Sequence, residues 1–210
     1  MRRIADYGAL LMAGLVPAIV FLAAAPVAEA HRKSIGPTGG ISIESIPHGQ
    51  MAVIARHRPA IFALADAQVK PDEKLWRLRN YAEIQFTACL WGLAPSALTD
   101  EESPFNECSH AYLAATMALL SHMASRDGGR AETKALAARV ERDLLLDGTG
   151  ALCQWSGEPY NTADVVWPDL SAIPRHAPTA LAAAGMMAAL TGGAWGLMRL
   201  LRRIASRDGA

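Results

Sequence analysis

Residues 72–93 read DEKLWRLRNYAEIQFTACLWGL. Leu75, Leu78, Ala82, Phe86, Cys89 and Leu93 recur at spacings of three and four, the period of one face of an α-helix. Asp72 stands just before the pattern, where a carboxylate can accept from the free N–H groups of a first turn. The stretch therefore reads as a helix from Asp72 to about Leu93.

The same period appears on both sides of it. Upstream, Ile54, His57, Ile61 and Leu64 share a stripe in a helix expected from Ser45 to about Val69. Pro47 suits its first turn, and Pro59 is expected to kink or split it. Downstream, a third helix follows the turn signal Ser103-Pro104 and ends near Ser125, with His110, Leu113, Met117, Leu120 and Ala124 on its stripe. A fourth lies after Gly128-Gly129, turns Leu136, Val140 and Leu144 inward, and stops at Asp147 before Gly148 and Gly150. Strand signals are nearly absent, and short connections favour antiparallel neighbours. The expected fold is all-α: an antiparallel four-helix bundle-like domain over residues 47–147, roughly a hundred residues and enough for one core. Residues 31–46 read as a linker broken by Gly36-Pro37-Thr38-Gly39-Gly40, with no Gly-Lys-Ser/Thr to make a phosphate loop. Residues 148–176, with Trp155, Pro159, Tyr160, Trp167, Pro168 and Pro174, read as an irregular strap whose aromatics pack on the bundle or sit near lipid headgroups.

The ends are apolar. Met1-Arg2-Arg3, an uncharged run from Tyr7 to Ala28 and the small-residue pattern Ala28-Glu29-Ala30 form a secretory signal over residues 1–30, or an uncleaved anchor. Ala177–Met198 is 22 residues without a charge, against about 20 needed to cross a bilayer. Arg199, Arg202, Arg203 and Arg207 follow it, in the basic tail 199–210. The chain is neutral overall, but residues 31–176 hold 14 basic against 17 acidic residues while the ends hold 6 against 3. Basic charge beside apolar segments sets orientation. It predicts a single-pass protein with residues 31–176 outside and the C-terminus in the cytoplasm. Arg outnumbers Lys and Ala is abundant, a GC-rich bacterial composition. The membrane is then the inner membrane and the outside is the periplasm. Ala180, Ala184, Ala188, Gly192 and Gly196 line one face of the C-terminal helix, a surface on which a second helix can approach closely. The partners expected are the membrane and a membrane protein or a second copy; a neutral chain gives no reason to expect nucleic acid.

The antiparallel order also gathers chemistry. Cys89 lies near the end of the second helix and Cys108 near the start of the third, so the two are level. Cys153, His48 and His110 arrive at the same end, which faces the bilayer because both membrane connections leave from it. Thiols outside the cytoplasm are oxidised, and the favoured pair is Cys89–Cys108, with Cys153 as the alternative partner. The sharper reading is a zinc or copper site from His48, Cys108 and His110, since thiolate and neutral imidazole suit both metals. The sequence has no Cys-x-x-Cys, no His-Glu-x-x-His, no Cys-x-x-Cys-His for haem and no Gly-x-Ser-x-Gly elbow. Asp100-Glu101-Glu102 offers carboxylates for calcium but reads more simply as a solvated loop. With no catalytic motif, the leading expectation is an accessory protein that docks on or stabilises an envelope complex without a cofactor. Metal binding is the alternative.

Overall fold

The amphipathic stretches fold as helices α1 (Met51–Asp66), α2 (Glu73–Ala88), α3 (Asn106–Ser125) and α4 (Ala131–Leu146), and the apolar C-terminal stretch folds as α5 (Ala177–Arg207). The structure, a computed structural model, describes residues 39–210 apart from 127–129, 158 and 208–210. The expected signal segment and residues 31–38 of the linker lie outside the described residues.

Asp72 caps α2 as expected: its side chain accepts from the Leu75 N–H at 2.7 Å. The same carboxylate meets His122 Nε2 at 3.0 Å and Arg126 Nε at 3.3 Å, at the C-terminal end of α3. At the opposite end Cys89 is bonded to Cys108, so α2 and α3 run antiparallel. His122 is mostly buried beside Asp72. The Leu75 N–H, ahead of His122 and Arg126, holds the Asp72 carboxyl below the usual carboxylate range. A lowered carboxyl stabilises the fold above its unfolded value, about 3.9. That contribution is lost as pH falls through the folded value. Asp72→Ala is therefore expected to cost about 1 kcal/mol at neutral pH. The gap from the parent should shrink at pH 3, as paired urea melts would show.

The helix α1 runs antiparallel to both α2 and α4. Arg58 meets Glu83 and Arg79 meets Asp66, each at 2.8 Å, while Arg56 meets Asp147 and His57 meets Asp143 at the same distance. The helix passes Pro59 unbroken. Arg58, beside it, lies on the rings of Phe62 and Phe86, 4.1 and 3.6 Å from their centroids, so packing holds the turn that proline alone would loosen.

Three further differences from the sequence reading have local causes. The α3 segment Cys108–Thr116 is buried all round rather than on one stripe, because α1, α2 and α4 all pack against it. The α2 helix stops at Ala88: Leu90 and Trp91 take left-handed backbone angles, φ 52° and 54°, and Leu93 is 77% exposed instead of inward. Linker and strap also pair, Ser42–Ile43 (β1) with Tyr160–Asn161 (β2), antiparallel, with Ile43 opposite Tyr160. Gly40 permits this; a Cβ there would fall 1.6 Å from Asn161 Oδ1. The fully buried Gln85 side chain donates to the Val166 carbonyl and accepts from its N–H, which ties the strap to α2.

The stretch Ala177–Leu201 of α5, mean hydropathy 1.4, is long and apolar enough to cross a membrane, and beyond the buried Thr179 at its start it is largely exposed. Its start is fixed by His176, whose ring contacts Thr179 Oγ1 at 2.7 Å and Asp100 Oδ2 at 3.0 Å. Asp100 is thus a partner for α5 rather than a free member of an acidic loop. Ala184, Ala188, Gly192 and Gly196 are exposed, and a Cβ added at either glycine meets nothing within 4 Å.

Candidate metal centre

The cysteine and histidine residues do collect at one end of the helices, with partners that differ in one respect from the sequence reading. Cys89 and Cys108 form a disulfide with Cα atoms 5.6 Å apart. Cys108 is therefore not available beside the histidines, and the thiol that stands there is Cys153, the free cysteine. His48, His110 and Cys153 bring their donor atoms within 4.8 Å of one another. Cys153 Sγ lies 3.1 Å from His110 Nε2, and that nitrogen lies 3.4 Å from His48 Nδ1. Donors bonded to one zinc or copper ion at about 2.0–2.3 Å stand roughly 3.3–3.8 Å apart, so small side-chain shifts suffice to admit an ion. Among the described residues this is the one such group, and it holds no carboxylate.

Each ligand has a local reason for its place. His48 opens the short 3-10 turn His48–Gln50 after extended Pro47. His110 sits one helical turn after Asn106 on α3, so the two side chains share a face. Asn106 Nδ2 contacts His48 Nδ1 at 3.4 Å and donates to the Ala97 carbonyl at 3.2 Å; its Oδ1 is 3.9 Å from Cys153 Sγ. Cys153 arrives on a segment clamped to the start of α1. Gly49 N–H donates to the Ala151 carbonyl and Thr149 N–H donates to the Gly49 carbonyl, at 3.1 and 3.2 Å. The Ser156 hydroxyl oxygen accepts from the backbone N–H groups of both His48 and Cys153, at 3.2 and 3.0 Å. One side chain thereby fixes the spacing of two ligands. Asn106 and Ser156 carried no signal in the sequence, since their roles depend on which segments meet.

The clamp needs glycine at position 49. A Cβ there would lie 1.9 Å from Thr149 Oγ1 and 2.5 Å from the Thr149 carbonyl oxygen, and backbone cannot yield as a side-chain tip can. Gly49→Ala is expected to push the 149–153 segment away and free the Cys153 thiol. Alkylation by a maleimide should then run at least several-fold faster than in the parent, with α1–α4 still helical by circular dichroism.

His110 is fully buried and its pKa is lowered to about 4, by burial first and then by His48, against a smaller opposing pull from the Ile46 carbonyl. Its Nδ1 has no hydrogen-bond partner. Its Nε2 faces Cys153 Sγ and His48 Nδ1. His57, on the stripe of α1, pairs instead with Asp143. Compared with family models, curated proteins and solved structures, the chain matches none.

Proposed function

We propose that this is a membrane-anchored protein of the bacterial envelope whose helical domain holds one soft transition-metal ion, zinc or copper, between His48, His110 and Cys153. The observation that carries this reading is the convergence of three soft donors within 4.8 Å. Two sit on segments clamped by a single hydroxyl. Reversible capture is the chemistry such a donor set supports. The four-helix bundle-like arrangement of α1–α4 is part of the proposal, as is a periplasmic domain on a single span after signal removal. Two features support that orientation: the arginines after Met198 and the oxidised Cys89–Cys108 pair. The bond from His176 to Asp100 keeps the start of the span at the end of the domain where the ligands gather.

The test uses full-length protein without a histidine tag, extracted in mild detergent. Elemental analysis should find one zinc or copper per chain, absent from Cys153→Ser protein of the same fold. Metal-free parent protein, folded and unable to take up either ion, contradicts the reading.

The exposed face of Ala184, Ala188, Gly192 and Gly196 supports a second role, docking through the membrane on another membrane protein or on a second copy. A stoichiometric partner that is lost when Gly192 and Gly196 are replaced by leucine would support it. A monomer on its own in detergent and in bilayers would count against it.

A further inference from the structure

Resting on the metal-binding reading above, we infer that the ion is monovalent copper, held as a neutral three-coordinate complex by His48 Nδ1, His110 Nε2 and the Cys153 thiolate. The first argument is charge. The donor set supplies one negative charge, the thiolate, together with two neutral imidazoles, and no carboxylate belongs to it among the described residues. Asp100, an acid near His48, is held by His176 at 3.0 Å. His110 is fully buried and His48 only 9% exposed. A monovalent ion makes this cluster neutral, whereas a divalent ion leaves an uncompensated positive charge where solvation is poor.

The second argument is the number and softness of the donors. Structural zinc takes four protein ligands, and catalytic zinc takes three and an open position for water. Cu(I) is satisfied by a few soft donors and is selected by thiolate. The fourth polar group here, Asn106, is a neutral amide whose NH2 is committed to Ala97 and faces His48. It adds no charge, and its N–H must turn from His48 Nδ1 to Ala97 alone when that nitrogen takes the ion. On binding, the Cu–S bond forms as the Cys153 thiol releases its proton to solvent, and the copper keeps its oxidation state. The ion also accounts for a free thiol in a protein whose other two cysteines are oxidised.

The experiment titrates the full-length, chelator-stripped chain in detergent with Cu(I) kept reduced by ascorbate, under nitrogen and with the disulfide intact, and separately with Zn(II). One equivalent of Cu(I) should stay bound against about a hundredfold excess of zinc. Cys153→Ser should lose that equivalent. Copper X-ray absorption should show one sulfur and two nitrogen neighbours, a reading that does not depend on any variant folding. Displacement of Cu(I) by zinc, or a copper shell without sulfur, overturns the copper assignment and leaves metal binding standing. Folded protein that retains neither ion overturns both.

Discussion

Replacing Cys89 and Cys108 together by alanine should lower the unfolding free energy by about 2–4 kcal/mol. The bond spans 19 positions of sequence. The segment it closes has little regular structure of its own: a 3-10 turn at Leu90–Gly92, and left-handed backbone at Leu90, Trp91 and Ser96. An open chain would sample many conformations there, and the crosslink removes them from the unfolded ensemble. Both sulfurs are fully buried, so alanine also leaves small voids. The effect should reach the metal site as well. Cys108 lies between Asn106 and His110 in the first turns of α3, and fraying that end moves both. Denaturant melts of the parent and of C89A/C108A in one detergent give the number, and a loss below about 1 kcal/mol would contradict the account.

The second large effect separates stability from function. His110→Leu should reduce metal affinity by about a hundredfold or more, beyond what loss of a supporting group costs. The stability of the metal-free chain should change by no more than about 1 kcal/mol. His110 is fully buried with Nδ1 lacking a good hydrogen bond, and an apolar side chain of similar bulk removes that unmet demand. A residue kept only for packing would show the opposite pattern, a stability loss with no change in metal retention. Melts of the stripped proteins beside Cu(I) competition assays read both quantities.

What was legible in the sequence follows from how each signal arises. Helix positions came from period and caps, and Asp72 began α2 as read. Endings were less secure: Leu93 continued the stripe on paper, yet the chain left the helix at Cys89 to make the disulfide and the turn after it. The gathering of Cys89, Cys108, Cys153, His48 and His110 at one end needed only antiparallel order, so it was visible. Which sulfur stood beside the histidines was not. That depends on the clamp of Gly49 against Thr149 and on Ser156, contacts between segments about a hundred residues apart that no local pattern encodes. The two-residue strands were invisible for the same reason, being too short to show alternation. The apolar C-terminal helix was plain, because twenty-two uncharged residues are a bulk property.

The measurement that bears most directly on the central claim is the metal content of the full-length, tag-free protein isolated from membranes, next to Cys153→Ser prepared the same way. The account predicts one soft metal ion per chain in the parent, and none in the variant, with matching circular dichroism. Equal metal content in the two proteins, or none in a folded parent offered Cu(I) and Zn(II), would contradict it.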